Sequence, residues 1–91
     1  ALGALHELNR QGVHVPDEVA VTGFDNLEIS RFSVPSLTTV SPRLSSYADD
    51  AVDLLLQRLA DPALPPRTMV EDVTLLPRDS TIGGRGLWAH A

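Results

Sequence analysis

The chain has 91 residues, with 7 arginines and no lysine, 12 carboxylates, 3 histidines, no cysteine and a formal net charge of -5. That length accommodates one small domain or part of a larger one, and the acidic balance argues against nucleic-acid binding by this stretch alone. The absence of cysteine excludes a disulfide scaffold, a thiolate zinc site and a cysteine nucleophile, and no apolar run approaches the ~20 residues of a membrane span.

The first predicted element is a helix over residues 1–11. Leu2, Leu5 and Leu8 recur at helical spacing and form an apolar stripe along one side. Gly12 follows, where a helix commonly ends on a left-handed residue. No capping residue precedes this helix, which we interpret as a sign that the chain is cut from a longer one.

Two strands are predicted after this helix. Residues 19–25 form a short apolar run that ends in Gly and Asp, which is typical of a strand buried on both faces in a parallel sheet. Residues 36–40 contain Thr and Val and predict a second short strand. A helix, a short connection and a buried strand in this order indicate an α/β architecture.

An amphipathic helix over residues 44–60 is the next element. Ser41 is the predicted N-cap and Pro42 the first helical residue. Residues 68–70 and 73–76 predict one interrupted strand or two short strands, and Pro77 marks a strand end or a sheet edge because it cannot donate a ladder hydrogen bond. The helix presents its apolar residues on one face, namely Leu44, Tyr47, Ala48, Ala51, Val52, Leu55 and Leu59.

Asp25 is the strongest candidate for binding chemistry. It lies at the predicted carboxyl end of the buried strand, where ligands bind in open α/β sheets. A carboxylate there accepts hydrogen bonds from the vicinal hydroxyls of a sugar or nucleoside, or from an amine. The alternative is that Asp25 caps a turn, as Asp often does before Asn. The residue pattern leaves both interpretations open.

Other chemistry-bearing residues show no site pattern. The histidines lack metal-ligand spacing, the acidic residues of the long helix are typical of a solvated face, and the serines lack a Gly-flanked elbow or a neighbouring base. The sequence therefore predicts no catalytic residue, no metal and no cofactor. The residues considered are His6, His14, His90, Asp49, Asp50, Asp53, Ser45 and Ser46.

In their order and spacing, these segments resemble the effector-binding core of the LacI/GalR family of bacterial transcriptional repressors, from Ala1 to about Thr81. Residues 12–21 are similar to the family pattern G-x-x-V-P-x-D-V-x-V, and residues 23–26 to G-[FY]-D-[DN]. Residues 35–40 match P-x-L-T-T-V, residues 51–56 match the following helix, and residues 78–81 resemble the terminal R-E-S-T. Pro42 stands where many members place a glutamine that reaches the effector, so the resemblance implies that this contact is missing.

The resemblance implies an α/β fold class: a fragment of a two-subdomain, periplasmic-binding-protein-like (type I) fold with parallel sheets flanked by helices. Residues 1–40 would belong to the C-terminal subdomain. Residues 41–74, including the helix at 44–60, would belong to the N-terminal subdomain. Residues 75–82 would return to the C-terminal subdomain, and residues 83–91 would form a flexible tail.

The function implied by the resemblance is that of a ligand-responsive, cytoplasmic transcriptional regulator with no enzymatic activity. It would bind a sugar- or nucleoside-like effector through Asp25, with Asn26 supporting the loop more than the ligand. Operator DNA would be bound only through an N-terminal domain absent from this chain. The predicted homodimer interface comprises Leu2, Ile29, Phe32 and Ser33, and the alternative is that these residues are buried within one subunit.

Two alternatives are of different classes. One is a secreted sugar-binding protein of the same fold that serves a transporter, which a signal peptide encoded upstream would distinguish from a regulator with an upstream helix-turn-helix. The other is a small α/β enzyme, which the lack of a base–nucleophile pair disfavours.

Overall fold

A computed structural model describes residues 1–83 of the chain. Helices and short strands alternate along these residues, with long connections between several of them. In chain order the elements are α1 (Leu2–Arg10), a 3-10 helix (Glu28–Arg31), β1 (Thr39–Pro42), α2 (Leu44–Ala60), β2 (Val73–Leu76) and α3 (Asp79–Ile82). Strands β1 and β2 are hydrogen-bonded to each other as a two-stranded sheet.

The chain divides into two compact units. The first unit comprises Ala1–Ser41 and the described residues from Leu75 to Gly83. The second unit comprises Pro42–Thr74 and contains α2. The candidate ligand residue Asp25 belongs to the first unit.

Helix α1 ends as its sequence predicts. Gly12 has a φ of 76°, the left-handed conformation that glycine adopts without steric cost. Its N–H donates to the carbonyl oxygen of Asn9, and the N–H of Val13 donates to that of Leu8 over 2.9 Å. This pair of bonds is a Schellman motif, which satisfies carbonyl groups left open at a helix end. Leu5, in the middle of the predicted stripe, is buried.

The prediction of a doubly buried strand at residues 19–25 is wrong. A single parallel bridge joins Thr22 to Thr38, and no regular strand forms over the rest of the segment. Val19 and Phe24 are exposed. Burial on both faces requires a covering layer on each side of the sheet, and residues 1–83 do not supply both layers.

The predicted helix cap at Ser41 and Pro42 is also wrong. Both residues belong to the end of β1, and α2 begins at Leu44 with Arg43 as its N-cap and no capping hydrogen bond from a side chain. Pairing between β1 and β2 keeps the chain extended through Pro42, and proline is tolerated at the end or edge of a strand. The helix can therefore start only after this proline.

Helix α2 has the predicted bounds, Leu44–Ala60, but none of its residues is buried. Only Asp50 and Leu54 are half-buried. The apolar face of α2 is therefore exposed. No helix among residues 1–83 is long and apolar enough to cross a membrane. The large apolar side chains left exposed on α2 are Leu44, Tyr47, Val52, Leu55, Leu56 and Leu59.

Of the interrupted strand or pair of strands predicted after α2, only residues 73–76 form a strand. β2 ends at Leu76, immediately before Pro77, so of the two alternatives for this proline the strand end is the one observed. Residues 68–70 form no strand, because a strand needs a hydrogen-bonded neighbour and the described part of the chain places none beside them. Helix α3 closes on Gly83, whose φ is 63°. The remainder of the predicted tail, residues 84–91, lies outside the described residues, and His90 lies there with it.

Candidate functional site

An extended segment leads to the candidate binding residue. The N–H groups of Gly23 and Asp25 donate to the carbonyl oxygens of Thr38 and Val40, in each case over 2.8 Å. Bonds from alternate residues have the spacing of a parallel strand pair. Asp25 therefore lies at the carboxyl end of the paired segment, the position from which parallel sheets present residues to ligands.

Asp25 and Asn26 form a turn with an uncommon backbone conformation. Their φ angles are 87° and 49°. Positive φ is costly for residues with a Cβ atom, and Asp and Asn tolerate it better than most because their short polar side chains can hydrogen-bond locally. The N–H of Asn26 donates to Oγ1 of Thr39 over 3.2 Å, which helps to hold the turn.

The Asp25 carboxylate is exposed and accepts no hydrogen bond from any residue in the described part of the chain. A carboxylate that caps a turn accepts a bond from a nearby backbone N–H. The structure therefore offers no capping contact for Asp25. Its two oxygens are free to accept hydrogen bonds from a ligand.

Gly23 is required by close approach of the chain to its neighbours. A Cβ atom at this position would lie 2.8 Å from Cδ2 of Leu37 and 3.3 Å from Cβ of Ala1. Leu37 is one of the buried apolar residues of the first unit. Any side chain at position 23 would thus push against the core two residues before Asp25.

Ser80 joins the two extended segments behind the turn. It is fully buried, and its hydroxyl accepts the N–H of Thr38 over 2.8 Å and donates to the carbonyl of Val21 over 2.6 Å. Its own N–H donates to the carbonyl of Ser36 over 2.8 Å. The Ser80 hydroxyl thereby bridges the Thr38 N–H and the Val21 carbonyl, two groups that would bond directly to each other in a regular strand pair.

Arg78 reaches the candidate turn from the far end of the described chain. Its Nη2 donates to Oδ1 of Asn26 over 2.9 Å. Its Nη1 donates to Oγ of Ser30 over 2.9 Å and to the carbonyl of Leu37 over 3.1 Å. The R-D-S-T segment does not by itself predict these roles for Arg78 and Ser80, because contacts over 40 or more positions leave no local pattern.

A cavity of about 610 Å³ lies in the first unit beside the extended segment. Phe24, Leu27 and Leu37 give it an apolar lining, and Leu2 of helix α1 also borders it. Asp25 is not among the lining residues. The cavity is therefore lined by residues on either side of the turn, but the candidate carboxylate does not line it.

Two of the residues predicted for a dimer interface are well exposed. Ile29 is 60% exposed and Phe32 is 70% exposed, at the 3-10 helix and its end. Leu2 and Ser33 are half-buried, and the Ser33 hydroxyl lies within hydrogen-bond distance of the carbonyls of Ser30 and Pro35. The structure thus leaves Ile29 and Phe32 exposed and engages Ser33 within the chain.

The second unit holds a pair of interacting carboxyl groups, Asp50 and Glu71, that no local sequence pattern connects. A side-chain hydrogen bond with Asp50 raises the pKa of Glu71 above its ordinary value, and burial and the negative charges of Asp50 and Asp72 raise it further. The sequence predicts that Asp50 lies on a solvated helix face, but this residue is half-buried. Both carboxyls border a small cavity of about 150 Å³ within this unit.

The histidines and hydroxyl groups considered as catalytic candidates are not assembled into a site. His6, His14, Ser45 and Ser46 are exposed, and the two serines lie at the start of α2. Within residues 1–83, no group of three or more His, Asp or Glu residues is placed to hold a metal ion.

Comparison with known proteins identifies the family. The sequence-family model of the periplasmic binding protein-like domain matches residues 1–81. The ribose operon repressor of Haemophilus influenzae is 32% identical over 80 residues, which is 88% of this chain and 24% of the repressor. The chain thus spans about a quarter of the length of this curated relative.

Solved structures agree with the family match. A LacI-type transcription regulator from Bifidobacterium animalis is 47% identical, with a TM-score of 0.76 over 89% of this chain and 29% of the regulator. A LacI family regulator from Enterococcus faecalis with bound ribose is 28% identical, with a TM-score of 0.73 over 87% of this chain and 30% of that protein. The predicted fold class is confirmed, and the chain belongs to the periplasmic binding protein-like domain family, in its LacI/GalR branch.

Proposed function

We propose that the chain forms part of the effector-binding and dimerisation domain of a ligand-responsive bacterial transcriptional regulator. The observation that carries the proposal is the exposed Asp25 carboxylate, which has no hydrogen-bond partner among residues 1–83 and follows a hydrogen-bonded segment. Similarity to a ribose operon repressor and to a LacI-type regulator supports the regulatory role.

The effector assigned to Asp25 is a small polyhydroxyl compound, either a sugar or a nucleoside. A carboxylate only accepts hydrogen bonds, and its two oxygens match two vicinal hydroxyl groups. The bound ribose of the Enterococcus faecalis neighbour supports this chemical class. Asn26 is the lesser contact, because its Oδ1 already accepts a hydrogen bond from Arg78 and leaves only its NH₂ group for a ligand.

The two compact units are assigned to the two subdomains of the family fold. Residues 1–40 and 75–82 are assigned to the C-terminal subdomain, and residues 41–74 to the N-terminal subdomain. The division of the chain after Ser41 and after Thr74 supports this assignment.

Regulation follows from a shift between two conformations. An effector that binds one conformation more tightly shifts the population toward it, by an amount set by its differential affinity. A homodimer through Leu2, Ile29, Phe32 and Ser33 carries that shift to a DNA-binding domain outside this chain. The chain itself has a net charge of -5, which suits it poorly to bind the phosphates of DNA. The regulator is accordingly assigned to the cytoplasm, where operator DNA lies.

A secreted sugar-binding protein that serves a transporter is the second candidate. It shares the fold, but the similar proteins described above are repressors and transcription regulators, which does not favour it. We propose no enzymatic activity.

Calorimetric titration of the full-length protein tests the effector assignment. D-ribose, cellobiose and adenosine serve as probes of a pentose, a disaccharide and a nucleoside. Asp25→Ala removes both acceptor oxygens, and we expect it to weaken binding of the probe that the original protein binds about tenfold or more. Asp17→Ala removes an exposed acid elsewhere in the first unit and serves as the matched control. Unchanged affinity in Asp25→Ala contradicts the site, and binding of none of the three probes contradicts the effector class.

A further inference from the structure

We infer that Arg78 is a positioning residue that holds the Asp25–Asn26 turn in its binding conformation and ties it to the 3-10 helix Glu28–Arg31. The inference rests on the role proposed for Asp25 and deepens it. It gives a role to the Arg78 guanidinium, which donates a hydrogen bond to Asn26, 52 positions earlier in the chain.

Three separate segments meet at the Arg78 guanidinium. Nη2 donates to the Asn26 side chain, while Nη1 donates to Oγ of Ser30 in the 3-10 helix and to the carbonyl of Leu37 before β1. No carboxylate lies within salt-bridge distance of Arg78 among residues 1–83, so the hydrogen bonds of its guanidinium go to neutral oxygens. Hydrogen bonds from a charged donor are shorter and stronger than neutral ones. The half-buried guanidinium therefore acts as a cross-link between the turn, the helix and the core.

The backbone of Arg78 is itself fixed, so the cross-link has a firm base. Its N–H donates to Oγ1 of Thr38 over 2.7 Å, and its carbonyl lies 3.0 Å from the same oxygen. Two residues later, the buried Ser80 is bonded to Thr38 and Val21. A rigid fork on a fixed backbone can set the position of what it holds.

The Asp25 carboxylate depends on such support because it has none of its own. Its direction is set by the backbone of a turn in which two successive residues have positive φ. The N–H groups of the turn donate to Val40 and Thr39 of β1, and Arg78 supplies the hydrogen bond to the Asn26 side chain. Loss of that bond frees the turn to relax toward more favourable φ values.

Lysine cannot replace this arrangement. Its ammonium is a single point of positive charge, whereas the planar guanidinium presents donors in two directions at once. Arg78→Lys keeps the charge but cannot hold Asn26 and the Ser30–Leu37 pair simultaneously. A lysine paired with the carboxylate made by Asn26→Asp can restore the bond to the turn through an ion pair.

Residue-resolved amide hydrogen exchange in the full-length protein without ligand tests the inference. We expect Arg78→Lys to accelerate exchange at the Asp25 amide about tenfold relative to the Val13 amide at the end of α1, because only the turn is loosened. Asn26→Asp alone should slow exchange at Asp25, since it pairs a carboxylate with Arg78. The double variant should return the rate to within about threefold of the original. Arg67→Lys, whose arginine bonds Gln57 in the second unit, is the control and should leave Asp25 unchanged.

The outcomes separate a positioning role from general stability. Equal acceleration at Asp25 and Val13, or no change in any variant, overturns the inference, since a merely structural arginine gives neither a local effect nor rescue by the reversed pair. If Arg78→Lys does not fold, slowed exchange in Asn26→Asp supports the inference and an unchanged rate overturns it. Titration of Arg78→Lys with whichever of D-ribose, cellobiose and adenosine binds the original protein distinguishes the two proposals. Faster exchange with an unchanged Kd for that probe supports the Arg78 role and counts against Asp25 as the contact, whereas unchanged exchange overturns the Arg78 role whatever the titration shows.

Discussion

The two units of the chain are stabilised in different ways. In the first unit, side chains and backbone groups distant in sequence are joined by hydrogen bonds around Thr38, Arg78 and Ser80. In the second unit, α2 keeps its full length through the bonds of its own turns, while none of its residues is buried. Local patterns are therefore enough to form a helix, but the candidate binding turn depends on long-range contacts.

The largest expected effect concerns the exposed apolar surface of the first unit. Phe32→Glu places a charge on this surface in each copy of the proposed homodimer. Burial of a Phe side chain stabilises by roughly 1.5–3 kcal/mol, so its loss in both copies should weaken dimerisation by about 3–6 kcal/mol. Sedimentation velocity of the full-length protein measures the change as a shift to monomer.

The control for that comparison lies in the second unit. Val70 is 92% exposed, and Val70→Glu adds the same charge outside the predicted interface. It should leave the sedimentation profile unchanged. A dimer that survives Phe32→Glu, or that dissociates equally in both variants, would count against the interface.

The next effect tests the buried hydroxyl that joins the extended segments. Ser80→Ala leaves the Thr38 N–H and the Val21 carbonyl without this partner. We expect a loss of about 1–3 kcal/mol in the free energy of unfolding, because buried polar groups without partners are costly. Urea unfolding of the full-length protein measures it. Ser45→Ala, at an exposed position on α2, should change stability by less than about 0.5 kcal/mol, and equal losses in the two variants would contradict the comparison.

A smaller effect is expected at the glycine before the turn. Gly23→Ala forces Leu37 Cδ2 to move away from a Cβ atom at 2.8 Å and should destabilise by about 1 kcal/mol. Gly3→Ala meets no atom within 4 Å, and in helix α1 it should stabilise by about 0.5–1 kcal/mol. Thermal unfolding of the two variants gives opposite signs if the close approach is real. The same sign in both would contradict it.

The smallest effect is a pH dependence in the second unit. The pKa of Glu71 is raised in the folded state by its hydrogen bond with Asp50, so its contribution to stability is full below the ordinary value of 4.5 and is lost as the pH rises through the folded pKa. Glu71→Gln keeps a hydrogen bond and removes the titration. The variant should match the original Tm at pH values below 4.5 and exceed it near neutrality. Glu28→Gln, at an exposed position in the first unit, is the control, and a pH-independent difference for Glu71→Gln would contradict the pairing.

The sequence predicts those parts of the fold that depend on neighbours along the chain. The bounds of α2, the left-handed end of α1 at Gly12 and the end of β2 before Pro77 all follow from local rules. The helix cap at Ser41 failed because pairing with β2, a non-local contact, kept Pro42 extended.

The candidate site was predictable only in part, for the same reason. Asp25 stands out from its position after an apolar run and a glycine. The bonds from Arg78 and Ser80 were not predictable, because they join residues 40 or more positions apart. The motif that contains both residues was visible, but its contacts depend on how the chain returns to the first unit.

A crystal structure of the full-length protein with its bound probe, D-ribose, cellobiose or adenosine, tests the central claim most directly. We predict a ligand hydroxyl within about 2.6–3.0 Å of an Asp25 carboxylate oxygen. We also predict that Arg78 still donates to Asn26 in that complex. A ligand bound with no contact to Asp25 would contradict the assignment of Asp25 as the effector contact.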